Sequence, residues 1–270
     1  MALHRRRRLP DLLSSNNARL ASARRLTSRK DRRETGRFLA EGAQAVREAL
    51  AVGAVVELFA TAEARDRHPE LSADAAEISA RDAAALSETV TPQGLVAVCR
   101  LPQPALAEVL ERRPRLLVAP VACNEPGNLG AIIRTADAAG ADAVLVDGGV
   151  DPYNGKVVRA TAGSLFHLPV LACSSVELLA GCRQRGVQAL ATTGRGTSTL
   201  DELIDDGTLV GPTLWLFGNE AHGLAGPLIE QADLSVRVPI YGRAESLNLA
   251  ATAAVCLYAS ARQQRQRETG

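Results

Sequence analysis

From Leu116 onward, apolar runs of strand length alternate with segments of helical character. Most of these runs are continuously apolar, whereas a strand with one solvated face would alternate. Strands of this kind are buried on both faces, which is typical of a parallel sheet flanked by helices. The pattern therefore predicts an α/β domain with a parallel sheet. Its predicted strands are LLVAPVA, AVLVDG, LPVLA, VQALATT, TLWLFG and LSVRVPI.

The stretch from Phe38 to Val98 predicts a second, smaller α/β unit. A helix is expected over FLAEGAQAVREALAVG, followed by strand VVELFAT, an Ala-rich helix, the short strand EIS, another Ala-rich helix and strand LVAVC. Prolines at positions 102, 104 and 114 indicate a linker, and the boundary is placed near residue 105. We expect a basic, flexible leader over 1–15, a small domain over 16–105 and a larger domain over 106–270.

Charge is distributed unevenly along the chain. Residues 1–37 carry 12 Lys and Arg against three acids, a net +9, whereas the remainder carries −8. A single-sign block favours a polyanionic partner such as RNA, because neutralised phosphates release counterions; the alternative is a solvated tail that aids solubility. Aromatic residues make up only 3%, so base stacking is limited. The residues predicted to bind RNA are Arg24, Arg25, Arg29, Lys30, Arg32, Arg33 and Arg37.

Composition argues against several classes of protein. Hydrophobic residues make up 46% of the chain, which excludes disorder as its main state. The five cysteines are odd in number and widely spaced, which indicates free thiols in a reducing compartment and no metal site. The basic N-terminus has no apolar signal-peptide region and no apolar run is long enough for a membrane span, so we expect a cytoplasmic protein. No phosphate-binding GxxxxGK[ST] loop and no GxSxG elbow occur.

Ligands of open parallel sheets bind at the carboxyl ends of the strands, and the loops there are unusual in this chain. The first is NEPGNLG, in which Asn128 is a candidate cap for the following helix. That helix carries Arg134 among small and apolar residues. Arg134 either reaches a ligand or, as the alternative, extends to the surface or pairs with Asp137.

Two further loops place polar side chains after predicted strands. FGNEAHGL puts Glu220 between two glycines, and VPIYGRAESLNLAATAAV puts Ser246 and Asn248 before a helix, where either side chain could cap it. A fourth loop, TTGRGTSTLDEL, has a weak likeness to a dinucleotide-binding fingerprint, but Thr199 occupies the third glycine position.

NEPGNLGAIIRTA, LFGNEAHGL and VPIYGRAESLNLAATAAV, in this order and spacing, resemble the three motifs of the SpoU (TrmH-type) RNA ribose 2′-O-methyltransferases of the SPOUT superfamily. The resemblance covers residues 116–262. RRETGRFLAEGAQAVREAL and TPQGLVAV, within residues 16–98, are also similar to the L30e-like substrate-binding domain of ribosomal-RNA members. The resemblance implies 2′-O-methylation of RNA, with ribosomal RNA and in particular 23S RNA favoured. A transfer-RNA enzyme, a non-catalytic RNA-binding or assembly factor and a nicotinamide-dependent oxidoreductase are the alternatives.

The resemblance also implies a SPOUT domain with a deep trefoil knot, S-adenosylmethionine as cofactor, and a homodimer with the active site near the subunit interface. We expect Arg134 to anchor a phosphate and stabilise the developing alkoxide, because an arginine with a pKa above about 12 is a poor base. Glu220 is expected to orient Arg134 or Asn128. By position, the catalytic residues would be Asn128, Arg134, Glu220, Ser246 and Asn248, and the cofactor-binding residues Thr193, Gly218, Val238, Ile240 and Leu247.

Overall fold

A computed structural model describes residues 12–89 and 91–266, and the chain divides into two compact units. The first unit ends at Leu101 and the second begins at Pro102, close to the boundary expected near residue 105. In the described parts of the chain, no helix combines the length and apolar character that a membrane span requires.

The first unit is a small sheet covered by short helices. Its helices and strands are α1 (Ala18–Arg25), α2 (Arg29–Thr35), β1 (Arg37–Glu41), α3 (Ala43–Ala51), β2 (Val55–Ala60), α4 (Ala62–Arg67), β3 (Ala76–Glu77), α5 (Ala80–Ala85) and β4 (Leu95–Arg100). The strand order is β1-β4-β2-β3, in which β4 is antiparallel to both of its neighbours. Leu20, Ala23 and Leu26 pack α1 onto one face of the sheet.

The helix predicted over residues 38–53 is wrong in its first part. Residues 38–41 belong to the edge strand β1, where Phe38, Leu39 and Ala40 are buried and pair with β4. Gly42 has a φ of 95°, which is unfavourable for other residues and separates the strand from α3. A short apolar run beside a helix-forming segment has no periodicity of its own, so pattern alone merged the two.

The N-terminal basic segment folds from Leu13 onward. The Leu13 amide donates to the Glu77 carbonyl at 2.9 Å, and the Ser15 hydroxyl donates to Asp82 at 2.9 Å. The end of the expected leader is therefore attached to β3 and α5. Residues 1–11 of that leader, with Arg5 to Arg8, lie outside the described residues.

The second unit alternates strands and helices. Its elements are α6 (Leu106–Glu111), β5 (Leu116–Pro120), α7 (Pro126–Ala139), β6 (Ala143–Val146), α8 (Gly155–Ala160), β7 (Val170–Ala172), α9 (Ser175–Arg183), β8 (Gln188–Thr192), β9 (Ser198–Thr199), α10 (Leu200–Asp205), β10 (Thr213–Phe217), α11 (Gly226–Gln231), β11 (Leu234–Arg237) and α12 (Leu249–Gln266). The segment read as a linker contains α6, whose Val109 and Leu110 are buried in the core of this unit.

The sheet of the second unit has the order β7-β6-β5-β10-β8-β11-β9, and every pairing is parallel. The predicted α/β domain with a parallel sheet is thus confirmed, as are the six predicted strands. The central strands β5 and β10 are buried along their whole length, as their apolar sequences indicated. The two-residue strand β9 was not predicted, because its polar Ser-Thr sequence carries no strand pattern.

The C-terminal helix α12 is held against the middle of the sheet. The Trp215 indole of β10 donates to the Ser260 hydroxyl at 2.9 Å, and both residues are fully buried. Gln264 donates to the carbonyls of Arg115 and Gly211 at 2.9 and 3.0 Å. Helix α12 also packs against α7. The trefoil knot stays a prediction, because strand order does not specify how the C-terminal segment is threaded.

Candidate functional site

The loops that follow β5, β8, β10 and β11 lie at one edge of the second unit's sheet, because parallel strands end on the same side. Asn219, which follows β10, joins two of these loops. Its side-chain amide donates to the Ala122 carbonyl at 2.8 Å, and its side-chain oxygen accepts from the Ala221 and His222 amides at 2.8 and 3.3 Å. Asn219 therefore fixes the loop that carries Glu220.

Three of the predicted catalytic side chains form a hydrogen-bonded chain. Asn128 Nδ2 donates to Glu220 Oε1 at 2.5 Å, and Asn248 Nδ2 donates to Asn128 Oδ1 at 3.0 Å. Asn128 lies in the first turn of α7, and Glu220 and Asn248 follow it by 92 and 120 positions in sequence. Glu220 thus contacts Asn128, one of the two partners expected for it. These hydrogen bonds align the two amide groups and the carboxylate, and the three residues are called the polar cluster below.

Helix capping at this edge differs in part from the prediction. Helix α7 begins at Pro126 with Glu125 at the N-cap position, so Asn128 lies within its first turn and does not cap it. A proline at the first helical position is favoured because its missing N–H would be unpaired there anyway. Asn248 rather than Ser246 caps α12, since its side-chain oxygen accepts from the Ala250 and Ala251 amides at 2.9 and 3.3 Å.

A cavity of about 550 Å³ opens beside this polar cluster. This volume is in the range of small-molecule sites. Its wall contains all five predicted cofactor-binding residues together with the catalytic candidates Glu220, Ser246 and Asn248. The lining residues are Thr192, Thr193, Gly194, Gly218, Asn219, Glu220, Gly223, Val236, Arg237, Val238, Ile240, Glu245, Ser246, Leu247, Asn248, Leu249 and Thr252.

The wall combines apolar side chains with unpaired backbone donors. Val238, Ile240 and Leu247 present aliphatic surface to the cavity. Within the described residues, the backbone N–H groups of Ile240 and Leu247 donate no hydrogen bond. Aliphatic contacts and free backbone donors are the groups that recognise a flat heteroaromatic base. The cavity therefore fits a nucleoside-containing cofactor.

Two glycines, Gly218 in the cavity wall and Gly196 in the GRG loop, are required by close backbone approach. A Cβ at Gly218 would lie 2.3 Å from the Gly223 carbonyl carbon, and a Cβ at Gly196 would lie 2.5 Å from the Arg237 amide nitrogen. Gly196 thus lets the GRG loop pass against β11. This packing accounts for one of the two glycines that gave the loop its likeness to a dinucleotide-binding fingerprint. Gly194, in contrast, has open space where its Cβ would be.

Arg134 lies apart from the polar cluster. It is six residues beyond Asn128 on α7, about 9 Å further along the axis at 1.5 Å per residue. Its side chain is exposed, does not line the cavity and forms no hydrogen bond or ion pair among the described residues. The alternative pairing with Asp137 is not formed, because Asp137 bonds His167 Nδ1 at 2.8 Å.

Cys123 lies next to the polar cluster, a position that sequence reasoning missed. It is buried directly after β5, and its thiol lies 4.0 Å from Glu220 Oε1. Burial, with the nearby negative charge of Glu220, raises the pKa of the Cys123 thiol to about 11. The thiol therefore stays protonated at neutral pH and acts as a weak donor, not as a nucleophile. Asn219 and Glu245 were also missed, although both lie within the quoted loops.

The basic residues of the first unit fall into two groups. Arg32 is 3% exposed and donates to the carbonyls of Leu26 and Thr27 at 2.8 and 3.0 Å. Arg24 donates to the buried Asp82 at 2.5 Å. The prediction that these two arginines bind RNA is therefore not supported, because their guanidinium groups are used within the fold. Arg25, Arg29, Lys30, Arg33 and Arg37 are exposed.

Asp82 is the centre of a polar network in the first unit. Burial would raise its pKa, but hydrogen bonds from Ser79, Ser15 and Arg24 outweigh burial and hold the pKa below its usual value of 3.8. The network ties Ser15 and α1 to α5. Over the described stretches of the chain, no group of three or more His, Cys, Asp or Glu residues is arranged to hold a metal ion.

Comparison with protein families gives two matches that together span most of the chain. Residues 115–258 match the SpoU rRNA Methylase family, and residues 17–97 match the MRM3-like substrate binding domain. The chain is 37% identical over 248 residues to the 23S rRNA (guanosine(2553)-2′-O)-methyltransferase RlmP of Bacillus subtilis. That alignment covers 91% of this chain and 96% of the relative.

Solved structures resemble the whole fold. A crystal structure of an RNA 2′-O ribose methyltransferase has a TM-score of 0.79 and 36% identity, and covers 94% of this chain and 98% of its own. The SpoU methyltransferase AviRb from Streptomyces viridochromogenes, in complex with the cofactor AdoMet, has a TM-score of 0.79 and 30% identity. It covers 94% of this chain and 99% of its own.

Proposed function

The chain belongs to the SpoU rRNA methylase family, and from this premise we propose that it transfers a methyl group from S-adenosylmethionine to a ribose 2′-hydroxyl of ribosomal RNA, with 23S RNA favoured. The observation that carries the proposal is the position of the hydrogen-bonded Glu220–Asn128–Asn248 cluster beside a cavity that fits a nucleoside-containing cofactor. The cavity for the methyl donor and the polar cluster for the acceptor ribose are thereby adjacent.

The cavity would hold S-adenosylmethionine through its wall. We assign the adenine end to Ile240 and Leu247, whose backbone donors are free and whose side chains are aliphatic. Thr193, Gly218 and Val238 complete this part of the wall. When bound, the cofactor supplies a methyl group on a sulfonium, which an oxygen nucleophile attacks in line.

The polar cluster would orient the acceptor ribose. Glu220 accepts a hydrogen bond from the side-chain amide of Asn128, and Asn248 donates one to the side-chain oxygen of Asn128. The two bonds fix the orientation of the Asn128 side chain. With Ser246 on the same wall, these groups can hydrogen-bond ribose hydroxyls and hold the 2′-oxygen toward the cavity. Holding the reacting atoms in near-attack geometry removes much of the entropic barrier of a two-substrate reaction.

Arg134 keeps the role of anchoring a phosphate and stabilising the developing alkoxide. Its guanidinium is exposed, carries a positive charge and is available to an anion. We do not assign it proton removal. A neighbouring group or water would take the 2′-hydroxyl proton.

We further propose that the protein is a homodimer. Helix α12 exposes Val255 and Tyr258 to 45% and 54%, and the two are three residues apart on one face of the helix. The same helix packs against α7, which carries Arg134. A second copy covering this face would bury its apolar side chains and bring the subunits together near Arg134.

Ribosomal RNA is favoured over transfer RNA by the first unit. Its residues 17–97 match a substrate-binding domain, and the RlmP relative, which the chain covers almost completely, carries the name of a 23S enzyme. An added RNA-binding domain extends the contact area on a large folded RNA, whereas the second unit supplies the chemistry.

The test is transfer of a radiolabelled methyl group from S-adenosylmethionine to purified 23S RNA, 16S RNA, transfer RNA and ribosomal subunits in parallel, followed by mapping of the 2′-O-methylated nucleotide. We expect label in 23S RNA at one position. Label in transfer RNA alone would contradict the substrate assignment. Absence of label from free RNA and from ribosomal subunits, with cofactor binding intact, would contradict the enzymatic function.

A further inference from the structure

The first unit contains two close pairs of exposed arginines, and each pair brings two positive charges together. Arg37 of β1 is directly opposite Arg100 of β4 in the antiparallel register, and both are exposed. Arg29 and Arg33 of α2 are four residues apart on one helical face, and both are exposed. Like charges directly opposite on neighbouring strands, or at i and i+4 on a helix, are destabilising. Such an arrangement is therefore costly unless an anion compensates it.

The strand register makes the Arg37–Arg100 pair a close one. The Leu101 amide donates to the Gly36 carbonyl at 2.8 Å, so Gly36 and Leu101 form the bonded pair. The next pair along, Arg37 and Arg100, is then of the non-bonded kind, in which Cα atoms are about 4.5 Å apart and side chains leave the same face. One guanidinium nitrogen of Arg100 donates to the Gly53 carbonyl at 2.7 Å, which orients the group and leaves its other donors available.

Nearby carboxylates are already engaged by other cations. None of the four arginines has a carboxylate within ion-pair distance among residues 12–89 and 91–266. The ion pairs formed around them are Arg19–Glu57, Arg25–Asp31 and Lys30–Glu34. The four guanidinium groups are thus unneutralised, and a guanidinium presents donors that match two oxygens of a phosphate.

We propose that Arg37 and Arg100, together with Arg29 and Arg33, form the surface of the first unit that binds the phosphate backbone of RNA. The inference rests on the proposed function and specifies which residues contact the substrate. It adds Arg100, which lies 63 positions beyond Arg37 and outside the basic N-terminal segment. It also replaces Arg24 and Arg32, whose guanidinium groups serve the fold.

The test is the salt dependence of binding of the full chain to transcribed 23S RNA. The double variant R37Q/R100Q is compared with wild type between about 50 and 200 mM KCl. Each lost phosphate contact reduces the magnitude of the slope of log K against log salt by about 0.7 to 0.9, so the slope of the double variant should be smaller by about 1.4 to 1.8. R37K/R100K keeps both charges and should retain most of the slope.

Arg47→Gln is the matched control, because Arg47 is an exposed arginine of the same unit but has Gln44 and Glu70 as neighbours. It should leave the slope unchanged. A wild-type slope in R37Q/R100Q would overturn the proposal. So would weaker binding with an unchanged slope, since that result indicates a disturbed fold. Failure of the proposed function has a different signature, namely wild type that binds RNA with a steep slope but transfers no methyl group.

Discussion

At the scale of single residues, the site depends on hydrogen bonds that determine which side chains face the reactants. Glu220 holds Asn128, and Asn248 both caps α12 and holds the other end of the same amide. Arg134 lies outside this chain of bonds with an exposed side chain. Among the described residues, the proposed site therefore consists of a hydrogen-bonded cluster and an exposed arginine, Arg134.

Arg134→Ala is expected to abolish methyl transfer and to leave the affinity for S-adenosylmethionine unchanged. The reason is that we expect the guanidinium to contact the nucleotide, and it does not line the cavity proposed for the cofactor. Loss of one preorganised charged donor costs about 10²–10³ in turnover. Single-turnover methylation and cofactor titration measure the two effects. Arg159→Ala, at an exposed arginine of α8, is the control. Turnover near that of wild type would contradict the role of Arg134.

Asp82→Asn is expected to lower the free energy of unfolding at pH 7 by about 2–3 kcal/mol, because it removes charged hydrogen bonds from a buried site. Since the folded pKa of Asp82 is below 3.8, its stabilising effect is present above that value and is lost as the pH falls through the folded pKa. The difference between wild type and variant should therefore narrow below about pH 4.

Urea unfolding at pH 7, 5 and 3 measures this difference. Glu34→Gln is the control, because that carboxylate is 53% exposed and its ion pair with Lys30, at 3.7 Å, should contribute less than about 1 kcal/mol. A difference that widens toward acid would be the opposite of the expected result.

At the scale of elements, close packing against α8 positions α7, the helix that carries Asn128 and Arg134. Gly130 of α7 is the contact point, since a Cβ there would lie 2.4 Å from the Ala160 Cβ and 3.0 Å from the Val157 carbonyl oxygen. Helix α7 carries both Asn128 and Arg134. A displacement of this helix would therefore misplace the acceptor-binding groups relative to the cavity.

Gly130→Ala is expected to destabilise the protein by about 1–3 kcal/mol, because overpacking outweighs the gain of up to about 1 kcal/mol in helix propensity. Gly127→Ala is the matched control in the same helix. Its Cβ would meet only Glu125 Oε1, at 3.8 Å, so it should be neutral or slightly stabilising. Thermal unfolding compares the two variants. Equal melting temperatures of the two variants would contradict this prediction, because they would show that α8 can shift without a loss of stability.

At the scale of the whole molecule, RNA affinity and chemistry are assigned to different units. The positive charge is concentrated in residues 1–37, whereas the remaining residues carry −8. The second unit, residues 102–270, contains 14 Lys and Arg against 17 Asp and Glu, a net −3, so its action on a polyanion needs a second source of affinity. The basic segment and the proposed arginine surface of the first unit provide it.

Removal of residues 1–11 is expected to weaken RNA binding and flatten its salt dependence, because it deletes Arg5, Arg6, Arg7 and Arg8. Cofactor affinity should stay unchanged. Removal of residues 1–37 would be a poor test of charge. It also deletes α1 and α2, including the buried Leu20, Ala23 and Leu26, and is expected to unfold the first unit. Filter binding at several salt concentrations and cofactor titration distinguish these results. An unchanged salt slope after removal of residues 1–11 would exclude those arginines as phosphate contacts.

The sequence by itself determined the parallel sheet of the second unit and the loops in which the site lies. Continuously apolar runs of strand length favour strands buried on both faces, and parallel strands present the loops after them at one edge. The sheet and its loops are local or periodic features of the sequence, which is why pattern was sufficient for them. The five predicted cofactor-binding residues, which line one cavity, were implied by the family resemblance and not by pattern.

Only the tertiary structure decided which groups pair with each other. The Asn128–Glu220 and Asn128–Asn248 bonds join positions 92 and 120 residues apart, and the Asp82 network joins α5 to α1 across 58 residues. Arginines 24, 32, 37 and 100 look alike in sequence, yet two are used by the fold and two are left facing solvent. Hydrogen-bond partners depend on the packing of elements that are distant along the chain, and neither composition nor periodicity contains that information.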